Sequence, residues 1–171
     1  MDPLFHFLIS FSGGYVILRE LDRKARIKEA LALSFISILI DLDHIPQYAM
    51  LLLGANRSIL EQLLGVKPLI FHNLFTIALI ILVSAFLLKG RLKLYGYALS
   101  VMIFGHLMFD MVDGLGVELL FPFSTNLYLI PVSWELMITH KSYVLTIFGI
   151  ALALYFAAVF LVVLALKKYK K

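Results

Sequence analysis

Residues 105–114 read GHLMFDMVDG and close a long apolar run. His106, Asp110 and Asp113 stand at i, i+4 and i+7, positions that share one face of an α-helix. An imidazole and two carboxylates on one stripe of a membrane-length helix are suited to hold a metal ion. Taken singly, His106 and Asp110 are equally suited to a helix–helix hydrogen-bond pair. Asp113 is suited either to the ion or to finishing the helix before Gly114.

Further candidates recur along the chain. Residues 40–44 read IDLDH. Asp41 and His44 share a face at i, i+3, and Asp43 points elsewhere, which fits a bridging, supporting or general-base role. His72 lies inside another apolar stretch, His6 near the start, and His140 before the last apolar run. Each has a plainer reading: a polar helix end for 41–44, an interfacial histidine for His6, wetted loop for His140. Glu118 and Glu135 read as surface residues. There is no cysteine, so any metal must be held by nitrogen and oxygen. Such ligands suit zinc first, with manganese and iron as the other ions. The metal set is then His6, Asp41, Asp43, His44, His72, His106, Asp110, Asp113 and His140. These exceed the four ligands of one tetrahedral ion, so two or more ions sharing a carboxylate would use them better. Closely spaced ions activate water and clamp the attacking and leaving oxygens of a phosphoester.

The elements that position these residues follow from composition. The 171 residues are 62% hydrophobic and 15% charged, with a mean hydropathy of +0.97. Soluble domains are about a quarter charged. The expected fold is all-α: a polytopic membrane bundle forming one domain over residues 1–171. Five transmembrane helices are expected over residues 3–18, 30–45, 68–88, 94–113 and 143–166. Residues 19–28 read as a polar loop, 58–64 as a short interfacial helix, and 114–142 as a connection folded against the headgroup layer. The first run lacks the positive start of a secretory signal, and its basic cluster comes after it. Nothing in the Lys/Arg pattern points to nucleic acid.

Twelve of the fifteen basic residues fall in 19–28, 89–93 and 167–171. These clusters come after the first, third and fifth spans. The positive-inside rule then puts them in the cytoplasm, with the N-terminus out and the C-terminus in. All five histidines and the four aspartates named above fall at or near the outer leaflet. A charge within a bilayer costs on the order of 3 kcal/mol, and such groups usually face one another or a watered cavity. Convergence on a cation is the least costly arrangement.

Three segments together resemble the YdjM-like family, described as LexA-regulated, inner-membrane, metal-dependent hydrolases. They are residues 40–46 (IDLDHIP), 71–74 (FHNL) and 105–110 (GHLMFD), the last running on to Gly116 and 121–124 (FPFS). The resemblance implies Asp41, Asp43, His44, His72, His106 and Asp110 as metal-site residues, with His6 as the early histidine. The family is in turn similar to zinc-dependent phospholipase C and related nucleases. By that similarity Asp110 is the bridging carboxylate. The chain departs from the family pattern in keeping only His72 before the third span, and in having Asp113.

The function expected is a phosphoester hydrolase acting on a lipid or amphiphile at the outer face of the cell membrane, with Asp43 and Asp110 in catalysis. A metal-ion transporter or channel is the first rival. Against it, the inner halves of the spans offer only small groups such as Ser12, Ser34, Ser84 and Ser100. A bundle merely stapled by metal is the second.

Overall fold

The computed structural model describes residues 3–44, 54, 71–112, 117–124, 126 and 139–168. The described residues form an all-α protein with five α-helices: α1 (Pro3–Ile17), α2 (Arg23–Ile38), α3 (Leu74–Phe86), α4 (Gly90–Asp110) and α5 (Lys141–Lys168). A 3-10 helix (Leu39–His44) continues α2. Two segments, Gly90–Asp110 and Lys141–Leu166, are long and apolar enough to cross a membrane. α1 and α3 are apolar but shorter, at 15 and 13 residues, or roughly 20 Å of rise each.

The helix starts differ from the sequence expectation for identifiable reasons. The supposed polar loop over 19–28 is helical from Arg23. Asp22 caps it, its side chain accepting hydrogen bonds from the Lys24 and Ala25 amides at 3.1 Å each. The next residues are rich in Lys, Arg, Ala and Glu, all good helix formers, so nothing delays the helix. α3 starts six residues later than expected. Asn73 is its N-cap, the side-chain oxygen accepting from the Thr76 amide at 2.8 Å. His72 therefore lies in the bend before the helix, not a turn inside it. α4 starts at Gly90, whose φ of 56° is the left-handed region that favours glycine. The expected interfacial helix over 58–64 and most of the 114–142 connection lie outside the described residues.

α4 is the hub, packing against all four other helices. It buries residues on every side over its second half, including Met102, Ile103, Leu107 and Phe109. α5 is the opposite case. It buries a single stripe, Val144, Ala151, Tyr155, Val159 and Val163, and leaves Leu145, Ile150, Leu154, Phe160 and Leu161 at least half exposed. An apolar helix with an apolar outer face suits lipid rather than water.

Tyr155 locks α5 to the bundle. Its ring is fully buried and its hydroxyl donates to the Ile9 carbonyl at 2.9 Å. Gly13 on α1 and Gly105 on α4 make room for it. A Cβ at Gly105 would lie 2.5 Å from Tyr155 Cε2, and one at Gly13 would meet its hydroxyl. Small residues at these crossings let the helices approach closely. Gly105 immediately precedes His106, so this contact fixes the register of the α4 end that carries chemistry.

Candidate metal centre

Four separate segments deliver side chains to one place. His6 comes from the first turns of α1, Asp41 from the 3-10 helix, His72 from the bend before α3, and His106 and Asp110 from α4. Ile40 is buried against Ile77, Ile103, Leu107 and Val117, and so pins the turn that carries Asp41. His72 is pinned through its neighbours. The Asn73 cap fixes where α3 begins, and the Leu74 amide donates to the Leu119 carbonyl at 2.9 Å.

The imidazoles aim their Nε2 atoms inward. His106 Nε2 lies 3.0 Å from Asp41 Oδ1 and 3.2 Å from Asp110 Oδ2. His72 Nε2 lies 3.3 Å and 3.4 Å from the same two oxygens. His6 Nε2 lies 3.3 Å from the other oxygen, Asp110 Oδ1. The His6 and His106 ring centroids are 4.2 Å apart, and those of His72 and His106 5.3 Å. His6, His72 and His106 are at most 3% exposed and Asp110 7%. The Asp41 side chain, at 32%, is the open side of the cluster.

Asp41, His72, His106 and Asp110 each offer one ligand atom, and all four atoms lie within 4.8 Å of one another. Zinc bonds of 2.0–2.1 Å in a tetrahedron set neighbouring ligand atoms about 3.3 Å apart. The four histidine–carboxylate separations of 3.0–3.4 Å match that spacing. Direct hydrogen bonding accounts for Asp41, which receives both imidazoles. It does not account for Asp110 Oδ2 or His6 Nε2, which are buried without a hydrogen-bond partner. Unsatisfied buried polar atoms are rare and costly. A cation among Asp41, His72, His106 and Asp110 would satisfy Asp110 Oδ2, so that donor set fits a metal ion.

Of the other candidates, His140 is not brought to the group. It is exposed, and its carbonyl accepts from the Tyr143 and Val144 amides, at 3.0 and 3.2 Å, to open α5. Its closeness to a span end in sequence reflects capping. Asp43 and His44 have their backbone in the 3-10 helix; their side chains, and all of Asp113, lie outside the described residues. Glu118 corrects the sequence reading in the other direction. It is 2% exposed rather than on the surface. The Leu74–Leu119 bond folds its segment against the bend that holds His72. The available signal was a lone carboxylate between Val117 and Leu119.

Fold and site together define a helical membrane protein with a buried His/Asp cluster suited to a metal ion. A family model described as YdjM inner membrane protein matches residues 1–170. The chain belongs to that family. No curated protein and no solved structure matches it.

Proposed function

We propose that this chain is a membrane-embedded, metal-dependent hydrolase that cleaves a phosphoester of a lipid or amphiphile at the extracytoplasmic face. One observation carries the reading: Asp110 Oδ2 is buried and unpartnered, yet faces two imidazole nitrogens at 3.2 and 3.4 Å. Asp41, His72, His106 and Asp110 would hold the ion. Zinc suits them first, and a second ion is accommodated if Asp43, His44 or Asp113 joins. A bound divalent ion supplies an activated water and neutralises charge on the departing oxygen. The protein's own contribution is positional. His6 Nε2, 3.3 Å from the far oxygen of Asp110, would help to orient that carboxylate. Asp41 lies at the exposed edge, where a headgroup can approach. Asp43, two residues on, is the candidate base.

The basic clusters support five spans with the N-terminus out and the C-terminus in. Transport finds less support. The buried hydroxyls of Ser34, Ser84 and Ser100 bond to carbonyls of their own helices, those of Ala30, Ile80 and Gly96. Inward from the cluster, α4 buries Ile103, Met102 and Val101. The exposed edge at Asp41 argues against a purely structural staple.

The test is elemental analysis of protein purified without chelators, then assay against phosphoesters and phospholipids. Wild type should carry at least one transition-metal ion per chain. Asp110→Ala should carry less than a tenth of that and lose turnover. A metal-free wild type, or turnover that survives Asp110→Ala, would overturn the proposal. So would metal uptake into sealed vesicles without hydrolysis.

A further inference from the structure

A cavity of about 650 Å³ opens at the end of the bundle opposite the His/Asp cluster. Its lining includes Arg19, Lys89, Arg91 and Lys93, and one acid, Glu20. Its apolar lining includes Leu94 on α4 and Val163 and Leu166 on α5. His106 lies fifteen positions after Arg91 along α4, which is roughly 22 Å of helix rise. The cavity is therefore distinct from the metal centre.

The start of α4 is built against its own electrostatics. A helix N-terminus carries positive partial charge and exposes unsatisfied amides. It is ordinarily capped by Ser, Thr, Asp or Asn. α2 and α3 obey that rule with Asp22 and Asn73. α4 has Lys89 at the N-cap, with no side-chain capping bond. An ammonium cannot accept one. Arg91 and Lys93 add two more cations within its first turn. Lys93 Nζ donates to the Ala85 carbonyl at 2.9 Å. The Arg19–Glu20 contact, 3.8 Å and largely exposed, offsets little of the excess charge.

We infer that this cavity binds an anionic phospholipid of the cytoplasmic leaflet. The phosphate would sit at the α4 N-terminus among Arg19, Lys89 and Arg91, with the upper acyl chain against Leu94, Val163 and Leu166. A phosphate supplies the acceptor and the negative charge that this helix start lacks. The apolar walls select a lipid over a free anion. The volume lies within the ordinary range for small-ligand sites, about 300–1,000 Å³. Basic pockets between helices on the cytoplasmic side are the expected place for such headgroups.

The test is native mass spectrometry of the full chain released from detergent, titrated with phosphatidylglycerol and with phosphatidylcholine. Wild type should prefer phosphatidylglycerol. Lys89→Gln with Arg91→Gln should weaken that binding roughly tenfold or more, as two cations near an anionic headgroup are removed. Arg23→Gln with Lys24→Gln removes equal charge from the same side away from the cavity and should leave it unchanged. Lys89→Ser supplies a helix cap while removing the cation. It should bind lipid more weakly although the helix start is repaired, which a merely structural role for Lys89 would not produce. No preference in wild type would overturn the inference. Equal losses in both double variants would also do so, as a diffuse charge effect. Displacement of the lipid by millimolar inorganic phosphate would make this a free-anion site and overturn the lipid assignment.

Discussion

At its C-terminal end α4 presents His106 and Asp110, 1% and 7% exposed, meeting residues from three other segments. At its N-terminal end it presents Lys89 and Arg91, both exposed, and Lys93, half-buried. The helix is 21 residues long, roughly the 30 Å of a bilayer core. The two ends carry polar groups on different terms. Long cationic side chains at the N-terminal end reach water from wherever the backbone leaves them. Short side chains buried at the C-terminal end cannot, so they depend on partners supplied by the fold. One end tolerates change, and the other is over-determined by its neighbours.

The largest effect should come from the ion. With free metal at a hundred times its Kd, an ion bound at the cluster would contribute about 2.7 kcal/mol of stability. Chelation should therefore lower the unfolding temperature of wild type by several degrees and leave Asp110→Ala unmoved. It should act equally on Lys89→Gln/Arg91→Gln, because the N-terminal end of α4 is independent. Metal ligands must be deprotonated, so retention should fall as the pH falls through roughly 6.5, the ordinary imidazole value. Retention unchanged down to pH 4 would remove the histidines from the ligand set.

A smaller effect tests the packing behind the C-terminal end of α4. Gly105→Ala drives a methyl against Tyr155 and should cost about 1–3 kcal/mol, as overpacked cores do. Gly149→Ala on the same bundle meets nothing within 4 Å and should be neutral or stabilising by up to about 1 kcal/mol. Thermal unfolding in detergent reads both, and equal outcomes would refute the Tyr155 lock. The smallest effect is at Asn73. Removing its capping bond in Asn73→Ala should cost about 1 kcal/mol. Metal affinity should fall with it, because the cap fixes the bend carrying His72. An affinity equal to wild type would show that the Leu119 contact alone positions the histidine.

Particular residues show how far the sequence could be read. His106 and Asp110 were legible as a pair because helical spacing alone puts i and i+4 on one face. The all-α character was legible from hydropathy. His72 was legible as a candidate but not in its place: an Asn73 cap moved the helix start past it. His140 was misleading, since nearness to a span end in sequence is no measure of nearness in space. Glu118 was misread because burial of a single carboxylate depends on which segment folds over it, and local polarity does not report that.

Composition and the lengths of its apolar runs determined by themselves that this chain is a helical membrane protein, and the order of its polar residues along those runs placed the histidines toward one end. These are local properties, set by each segment's own side chains and solvent. The membership of the cluster was decided only by tertiary structure. Asp41 meets His106, 65 positions away in sequence, at 3.0 Å, while His140 stays outside. That selection rests on the packing of Ile40 against α4 and of Tyr155 against Gly105, long-range contacts that no single segment encodes.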